Sequence, residues 1–313
     1  MMNVNWGKLI TGVLLSFIPL FCFVFIVYSS RAYLSSENLK EDYFLGSISP
    51  SIKEDYNSEE DNKVYLIPAT IDATAAVSIE SNFSDALEKN IFEKNRDLKL
   101  PIASLTKLMT AVVAIENYDL SQKITISKEA DSQLPMQTDF KLEDTFPIEK
   151  ILYVMLIESS NKAAFALSEK MGQEKFISLM NQKAKDIGMQ NTFFADPTGL
   201  SSGNISTAND LVVLIKYILK KYPKIAEIST IKEYELENFG KIENTNQLLV
   251  EFPEIVFGKT GFTNDANGCL LLVLKNPKNN NYLINIILGA DDRFSEMRKL
   301  INWENIIHNI NGN

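Results

Sequence analysis

Pro101-Ile102-Ala103-Ser104-Leu105-Thr106-Lys107-Leu108-Met109-Thr110 is the stretch on which the reading of this chain turns. Proline pushes the residue before it toward extended backbone, so a helix is expected to begin near Ser104. The apolar residues Leu108, Met109, Ala111, Val112, Val113, Ala114 and Ile115 would then be buried. Residues i and i+3 share a helix face, which sets the Ser104 hydroxyl within reach of the Lys107 amine. A serine hydroxyl is a weak nucleophile until a base takes its proton. A lysine serves as that base when desolvation or a nearby cation lowers its pKa. Alone, Ser-x-x-Lys is a common string, and a serine opening a helix is usually a cap. The rest of the chain has to decide.

The 313 residues are 45% hydrophobic, enough for a substantial core, and carry a net charge of −9. No basic field is available to attract phosphates, so a nucleic-acid partner is not expected. Cys22 lies in an apolar run and Cys269 in an expected strand. Neither a disulfide between them nor metal-ligand spacing is indicated. His308 is the single histidine. Ser-His-Asp and Cys-His catalysis would both have to run through it, and a zinc site with two histidine ligands is excluded. The sequence therefore asks for a histidine-free mechanism, with no metal and no cofactor.

Residues 9–29 are uncharged and apolar, the length of a membrane-spanning helix. Membrane helices tolerate a central proline such as Pro19. A cleaved signal peptide is the alternative, but no clear Ala-x-Ala site follows. Lys8 and the terminal amine place residues 1–8 in the cytoplasm. A single-pass anchor in the cytoplasmic membrane is expected, with the remainder on the extracytoplasmic side. Residues 30–62, rich in Ser, Glu, Asp and Asn, read as a polar tether. The catalytic domain is expected over residues 63–313.

Within it, strands are expected from Ala73 to Glu80 and Asn90 to Lys94, then the Ser104 helix and a polar region from Ser121 to Phe146. Ile148, Ile151, Leu152, Met155 and Leu156 recur at helical spacing. Helices follow at Lys162 to Met171, Phe176 to Ile187 and Ala208 to Lys220. Strands return at Ile255 to Thr263, Cys269 to Lys275 and Tyr282 to Leu288, the last two joined by the turn Asn276-Pro277-Lys278-Asn279-Asn280. A helix from Arg293 to Ile310 closes the chain. This order implies an α+β fold: an antiparallel sheet built from both ends of the domain, flanked by helices, with a helical subdomain inserted.

Three strings belong together: Ser104-Leu105-Thr106-Lys107, Ser159-Ser160-Asn161 and Lys259-Thr260-Gly261. Except for the middle residue of the second, they match the Ser-x-x-Lys, Ser-Asp-Asn and Lys-Thr-Gly signature of penicillin-binding proteins and class A β-lactamases. The chemistry suits the residues. Ser104 is the nucleophile and Lys107 its base, with a pKa lowered by burial and by Lys259. The backbone N–H groups of Ser104 and Phe262 would hold an oxyanion. Ser159 would relay the proton to the leaving amine. Asn161 would hold Lys107 and a substrate amide. Lys259, Thr260 and Thr263 would bind a carboxylate, and Gly261 would let substrate backbone lie close to the strand edge.

The chain as a whole resembles the D-alanyl-D-alanine carboxypeptidases, the low-molecular-weight penicillin-binding proteins. The resemblance runs from about Ala73 to the C-terminus. It takes in Leu100 to Glu116, Asp196-Pro197-Thr198-Gly199-Leu200, Thr207-Ala208-Asn209-Asp210-Leu211, Gly258 to Thr263 and Gly289 to Trp303. It implies the β-lactamase/transpeptidase-like fold and a substrate stem peptide of peptidoglycan ending in D-Ala-D-Ala. It also implies covalent inhibition by β-lactams, and places Arg293 near the substrate carboxylate. Many relatives continue into a β-rich domain with a C-terminal anchor, so here the N-terminal helix is expected to do the anchoring. Ser160 stands where these carboxypeptidases usually have glycine, and its side chain is expected to narrow the cleft. Asn267-Gly268 replaces a more usual Gly-x pair, a change expected to alter a turn and no chemistry. Two alternatives stand beside this reading. A class A-like β-lactamase would need a Glu-x-x-Leu-Asn string, and none lies between Asp196 and Asn209. A catalytically weak, envelope-binding homologue would not need the intact Ser104, Lys107, Asn161 and Lys259.

Overall fold

Five strands form one antiparallel sheet: β1 (Ala75–Ser81), β2 (Lys89–Lys94), β3 (Ile255–Thr263), β4 (Asn267–Lys275) and β5 (Tyr282–Ala290), in the order β2-β1-β5-β4-β3. The first strand thus pairs with the last, closing the domain on itself. The computed structural model describes residues 69–310 apart from 83–87, 135–139, 238, 277, 278 and 280, with backbone alone for 308–310. The apolar run at 9–29, the tether and the His308 side chain lie outside the described residues. Among the described residues no helix is long and apolar enough to cross a membrane.

Alternation along the strands explains the layering. Successive strand side chains leave opposite faces. Leu270, Leu272 and Leu274 pack with Met297, Leu300 and Ile301 of the C-terminal helix. Cys269, Leu271 and Val273 pack with the helices of the inserted subdomain. Both faces are covered, which is why β4 reads as a nearly continuous apolar run with no polar alternation. Among the described residues six longer helices fill the middle of the chain, besides a four-residue one at Lys128–Asp131: α1 (Lys107–Asn117), α2 (Ile148–Ile157), α3 (Asn161–Glu169), α4 (Gln173–Asp186), α5 (Ala208–Lys221) and α6 (Pro223–Ser229). A seventh, α7 (Arg293–Ile310), ends the domain. Every residue of α1 from Lys107 to Ala114 is buried; it is the axis of the subdomain, and it brings a lysine into the interior.

The sequence expectations for the five strands agree with these bounds to within two residues. Several local features differ. Ser104 does not open an α-helix but lies in a 3-10 turn, Ala103–Thr106. Ala103 has a positive φ of 46°, so regular helix begins only at Lys107. The polar region at 121–146 holds a strand pair, Lys123–Thr125 with Thr145–Pro147. A further hairpin, Glu233–Leu236 with Gly240–Glu243, was not expected, because its strands are short and mostly exposed.

Leu272 is fully buried between β4 and α7. Leu272→Ala is expected to cost about 2–5 kcal/mol of stability, measured as a lower urea midpoint at unchanged slope; a shift equivalent to under about 1 kcal/mol would contradict this packing.

Candidate active site

The site is built on the turn before α1. Ile102 N–H donates to Asn204 O (3.1 Å) and Leu105 N–H to Ile102 O (3.2 Å). Two glycines clasp this turn. Gly199, at a φ of 88°, packs so closely that a Cβ would lie 2.1 Å from Ala103 O. A Cβ on Gly261 would lie 3.1 Å from both Ile102 O and Ser104 N. No other residue fits at 199, which needs both the left-handed backbone and the space. The bare face of Gly261 is thus packed against the nucleophile turn.

Lys107 is fully buried, and its Nζ meets three oxygens: Ser104 Oγ at 2.9 Å, Asn161 Oδ1 at 2.6 Å and Thr198 O at 2.6 Å. Asn161 Nδ2 donates to the Leu134 carbonyl at 2.5 Å, which fixes the amide with Oδ1 toward the lysine. Asn161 Oδ1 and Thr198 O can only accept. A neutral amine has two N–H groups and one lone pair. With both N–H groups donated to those acceptors, the lone pair faces the one partner that can donate, the Ser104 hydroxyl. Burial lowers the Lys107 pKa to about 7, against a smaller raising effect of the Asp196 charge.

Lys259, also buried, donates to Ser159 Oγ (2.7 Å) and Thr260 O (3.1 Å). Its pKa is lowered well below the ordinary range by burial first, then by repulsion from Lys107 and from Arg293. Burial dominates for both lysines, and their mutual repulsion opposes charging them together. Ser159 itself has a positive φ of 63°, in the bend between α2 and α3 that turns its hydroxyl onto Lys259.

The remaining expected residues lie along β3, the edge strand of the sheet, and at the start of α7. Thr260 Oγ1 is 2.6 Å from Thr245 Oγ1, and by strand alternation it leaves the opposite face from Lys259. Phe262 is 55% exposed. Thr263 Oγ1 accepts from Ala266 N–H at 3.1 Å, capping the turn to β4. Arg293 is packed against Gly268, whose Cβ would lie 3.0 Å from Arg293 Cβ. Its guanidinium lies over Phe294, 4.6 Å from the ring centre, and its Nε is buried with no hydrogen-bond partner. Ser160 does not narrow the cleft. It is the N-cap of α3, its Oγ accepting from Ala163 N–H at 3.2 Å, and it is buried.

Sequence reasoning missed three contributors. The Thr198 carbonyl carries no side-chain signature. Asp196 aims it: Oδ1 accepts from Thr198 N–H (2.5 Å), Thr198 Oγ1 (2.6 Å) and Gly199 N–H (2.8 Å), and Oδ2 from Ser201 N–H and Asn204 Nδ2 (both 2.7 Å). The Asp196-Pro197-Thr198-Gly199 string is the available signal. Thr245, in the Asn244-Thr245-Asn246 segment, gave no periodic signal. Among the described residues no group of three or more His, Cys, Asp or Glu is placed to hold a metal ion.

The family model for D-alanyl-D-alanine carboxypeptidases matches residues 62–292. The chain belongs to this family. Among curated relatives, the D-alanyl-D-alanine endopeptidase of Escherichia coli is 34% identical over 229 residues, covering 69% of this chain and 73% of the relative. The D-alanyl-D-alanine carboxypeptidase DacF of Bacillus subtilis is 32% identical over 247 residues, covering 74% of this chain but 62% of the relative's length. Among solved structures, penicillin-binding protein D2 of Listeria monocytogenes in its ampicillin-bound form superposes with a TM-score of 0.67 at 27% identity, over 76% of this chain and 98% of that one. The D-alanyl-D-alanine carboxypeptidase DacD of Francisella tularensis gives a TM-score of 0.70 at 25% identity, over 79% of this chain and 73% of that one. The family assignment and the α+β fold agree with the resemblance drawn from the three strings.

The cap at Ser160 sets a prediction for this family member. Ser160→Gly removes the Oγ acceptor yet keeps a favourable N-cap backbone, so it is expected to cost a few tenths of a kcal/mol, whereas Ser160→Ala costs about 1 kcal/mol. Penicillin acylation rates of both variants should stay within about twofold of the parent, a change of under about 0.5 kcal/mol in the barrier. A tenfold gain on Ser160→Gly would restore the narrowed-cleft reading.

Proposed function

We propose that this protein is a serine-type D-Ala-D-Ala carboxypeptidase that trims peptidoglycan stem peptides through a Ser104 acyl-enzyme. The observation that carries the reading is the placement of Lys107 Nζ 2.9 Å from Ser104 Oγ, held there by Asn161 Oδ1 and Thr198 O; in its neutral form the amine turns its lone pair to the hydroxyl. Lys107 takes the hydroxyl proton as Ser104 attacks the D-Ala-D-Ala carbonyl. The oxyanion is received by the N–H groups of Ser104 and Phe262. Ser159 passes a proton to the departing D-alanine amine, and water then releases the acyl group. Asn161, besides fixing Lys107, engages a substrate amide. Lys259 and Arg293, close enough to repel one another, hold the terminal carboxylate. A carboxylate arriving beside Lys259 opposes the lowering of that lysine's pKa by burial and by the neighbouring cations. The edge of β3, with Gly261 holding the strand against the nucleophile turn, supports an extended peptide added as a further strand.

A free carboxylate beside the scissile bond suits this end of the site. A fast β-lactamase is disfavoured, because Asp196 has both oxygens committed to its own loop and supplies no carboxylate to activate water. β-Lactams are expected to acylate Ser104 and remain bound, as the relative solved with ampicillin suggests. The uncharged run at 9–29 supports a membrane anchor that holds the domain on the extracytoplasmic face.

Labelled penicillin should mark the parent protein as a long-lived adduct on Ser104, and Ser104→Ala should lose both the label and D-alanine release; equal labelling of the two would overturn the assignment. Below about pH 7 Lys107 is protonated and cannot accept the hydroxyl proton. The acylation rate should therefore rise about tenfold per pH unit up to about 7 and level off above it, measured by stopped-flow acylation. A rate that is flat from pH 5 to 9 would contradict Lys107 as base.

A further inference from the structure

Phe146 and Phe239 line a cavity of about 440 Å³ in the helical subdomain, together with Lys123, Asp144, Lys150 and Glu237. It is separate from the Ser104 site, and nothing in the proposed reaction uses it. We propose that it binds the glycan strand of peptidoglycan, taking the amino sugars to which the stem peptide is attached. The proposal rests on the D,D-peptidase reading and adds a second substrate contact to it.

Three observations point to a sugar. First, the aromatic wall is fixed. Phe140, fully buried, stacks on Phe146 at 4.7 Å and meets Phe239 edge-on at 5.0 Å, while Phe146 and Phe239 meet edge-on at 4.9 Å. Pyranose rings present apolar C–H faces that pack on such rings, and a preordered wall loses little entropy on binding. Second, the polar rim is balanced, with Lys123 and Lys150 against Asp144 and Glu237. No net charge favours an anionic polymer, whereas mixed donors and acceptors suit hydroxyl and acetamido groups.

Third, the distance fits the substrate. The cavity lies at the N-terminal end of α2, where Phe146, Pro147 and Lys150 line it. Ser159 lies two residues beyond the other end of this ten-residue helix, about 15 Å away along its axis. The four stem residues up to the scissile carbonyl span about 14 Å when extended, comparable to the length of the helix between the cavity and Ser159. Two further links join cavity and site. The Phe140 carbonyl accepts from Lys162 Nζ at 2.9 Å, next to Asn161. The hairpin that carries Glu237 and Phe239 at its tip runs back to Thr245, the partner of Thr260.

The test compares D-alanine release from a bare pentapeptide and from the same pentapeptide on its disaccharide, using the full chain. The parent should show a KM on the order of tenfold lower for the glycan-linked substrate, equivalent to about 1.4 kcal/mol. Phe239→Ala should lose that advantage. So should the rim variants Glu237→Ala and Lys123→Ala, whose exposed positions do not put folding at risk. All three should keep the parental rate on the bare peptide and the parental penicillin labelling. Equal KM values for the two substrates in the parent, or variants that weaken both substrates alike, would overturn the glycan site. Calorimetric titration with N-acetylglucosamine tetrasaccharide separates this from the enzymatic reading. Binding that is lost in Phe239→Ala supports the cavity even if no D-alanine is released, and absence of binding refutes it even if release is normal.

Discussion

A lysine amine stripped of water governs this structure. Lys107 sits on the first turn of a helix buried on all sides, and its nitrogen can stay there only if its hydrogen-bonding capacity is met. A charged ammonium in such a place is heavily penalised, and the neutral form is the economical solution. The amide of Asn161, the carbonyl of Thr198 and the hydroxyl of Ser104 complete it. Each of these is delivered by a different element: the N-terminus of α3, the Asp196 loop and the 3-10 turn. The sheet contributes a second buried lysine, Lys259, on its edge strand, and Ser159 Oγ accepts from it across the two halves.

Holding these elements together requires backbone conformations that side chains disfavour. Ala103 and Ser159 both lie in the left-handed region, at a cost of about 1–3 kcal/mol each. Both flank the reacting hydroxyl. The surroundings overdetermine them: Gly199 and Gly261 close on the peptide around Ala103, and the N-cap at Ser160 fixes the bend after Ser159. Strain placed at the site and compensated by a two-faced apolar sheet is consistent with a preorganised catalytic centre.

Much of this was legible in the sequence. The β4–β5 hairpin announced itself through apolar runs around an Asn-rich turn, and α2 through its spacing. The three strings marked Ser104, Lys107, Ser159, Asn161 and Lys259, because these contribute side chains whose types the chemistry demands. What escaped were backbone contributions. A carbonyl such as Thr198 O has no residue identity, and the positive φ at Ala103 replaced an expected helix start with a tighter turn. Ser160 misled because a substitution was read as bulk in a cleft, whereas a serine preceding a helix has an alternative in capping.

The central claim is that Lys107 is neutral near physiological pH and holds the Ser104 proton's destination. Its charge can be followed directly by NMR of the lysine side-chain carbons in protein carrying ¹³C-labelled lysine, with Lys107→Arg to assign the resonance. The account predicts a Lys107 titration centred at about 7. A midpoint at the ordinary lysine value near 10.5 would leave an ammonium facing Ser104 and contradict it.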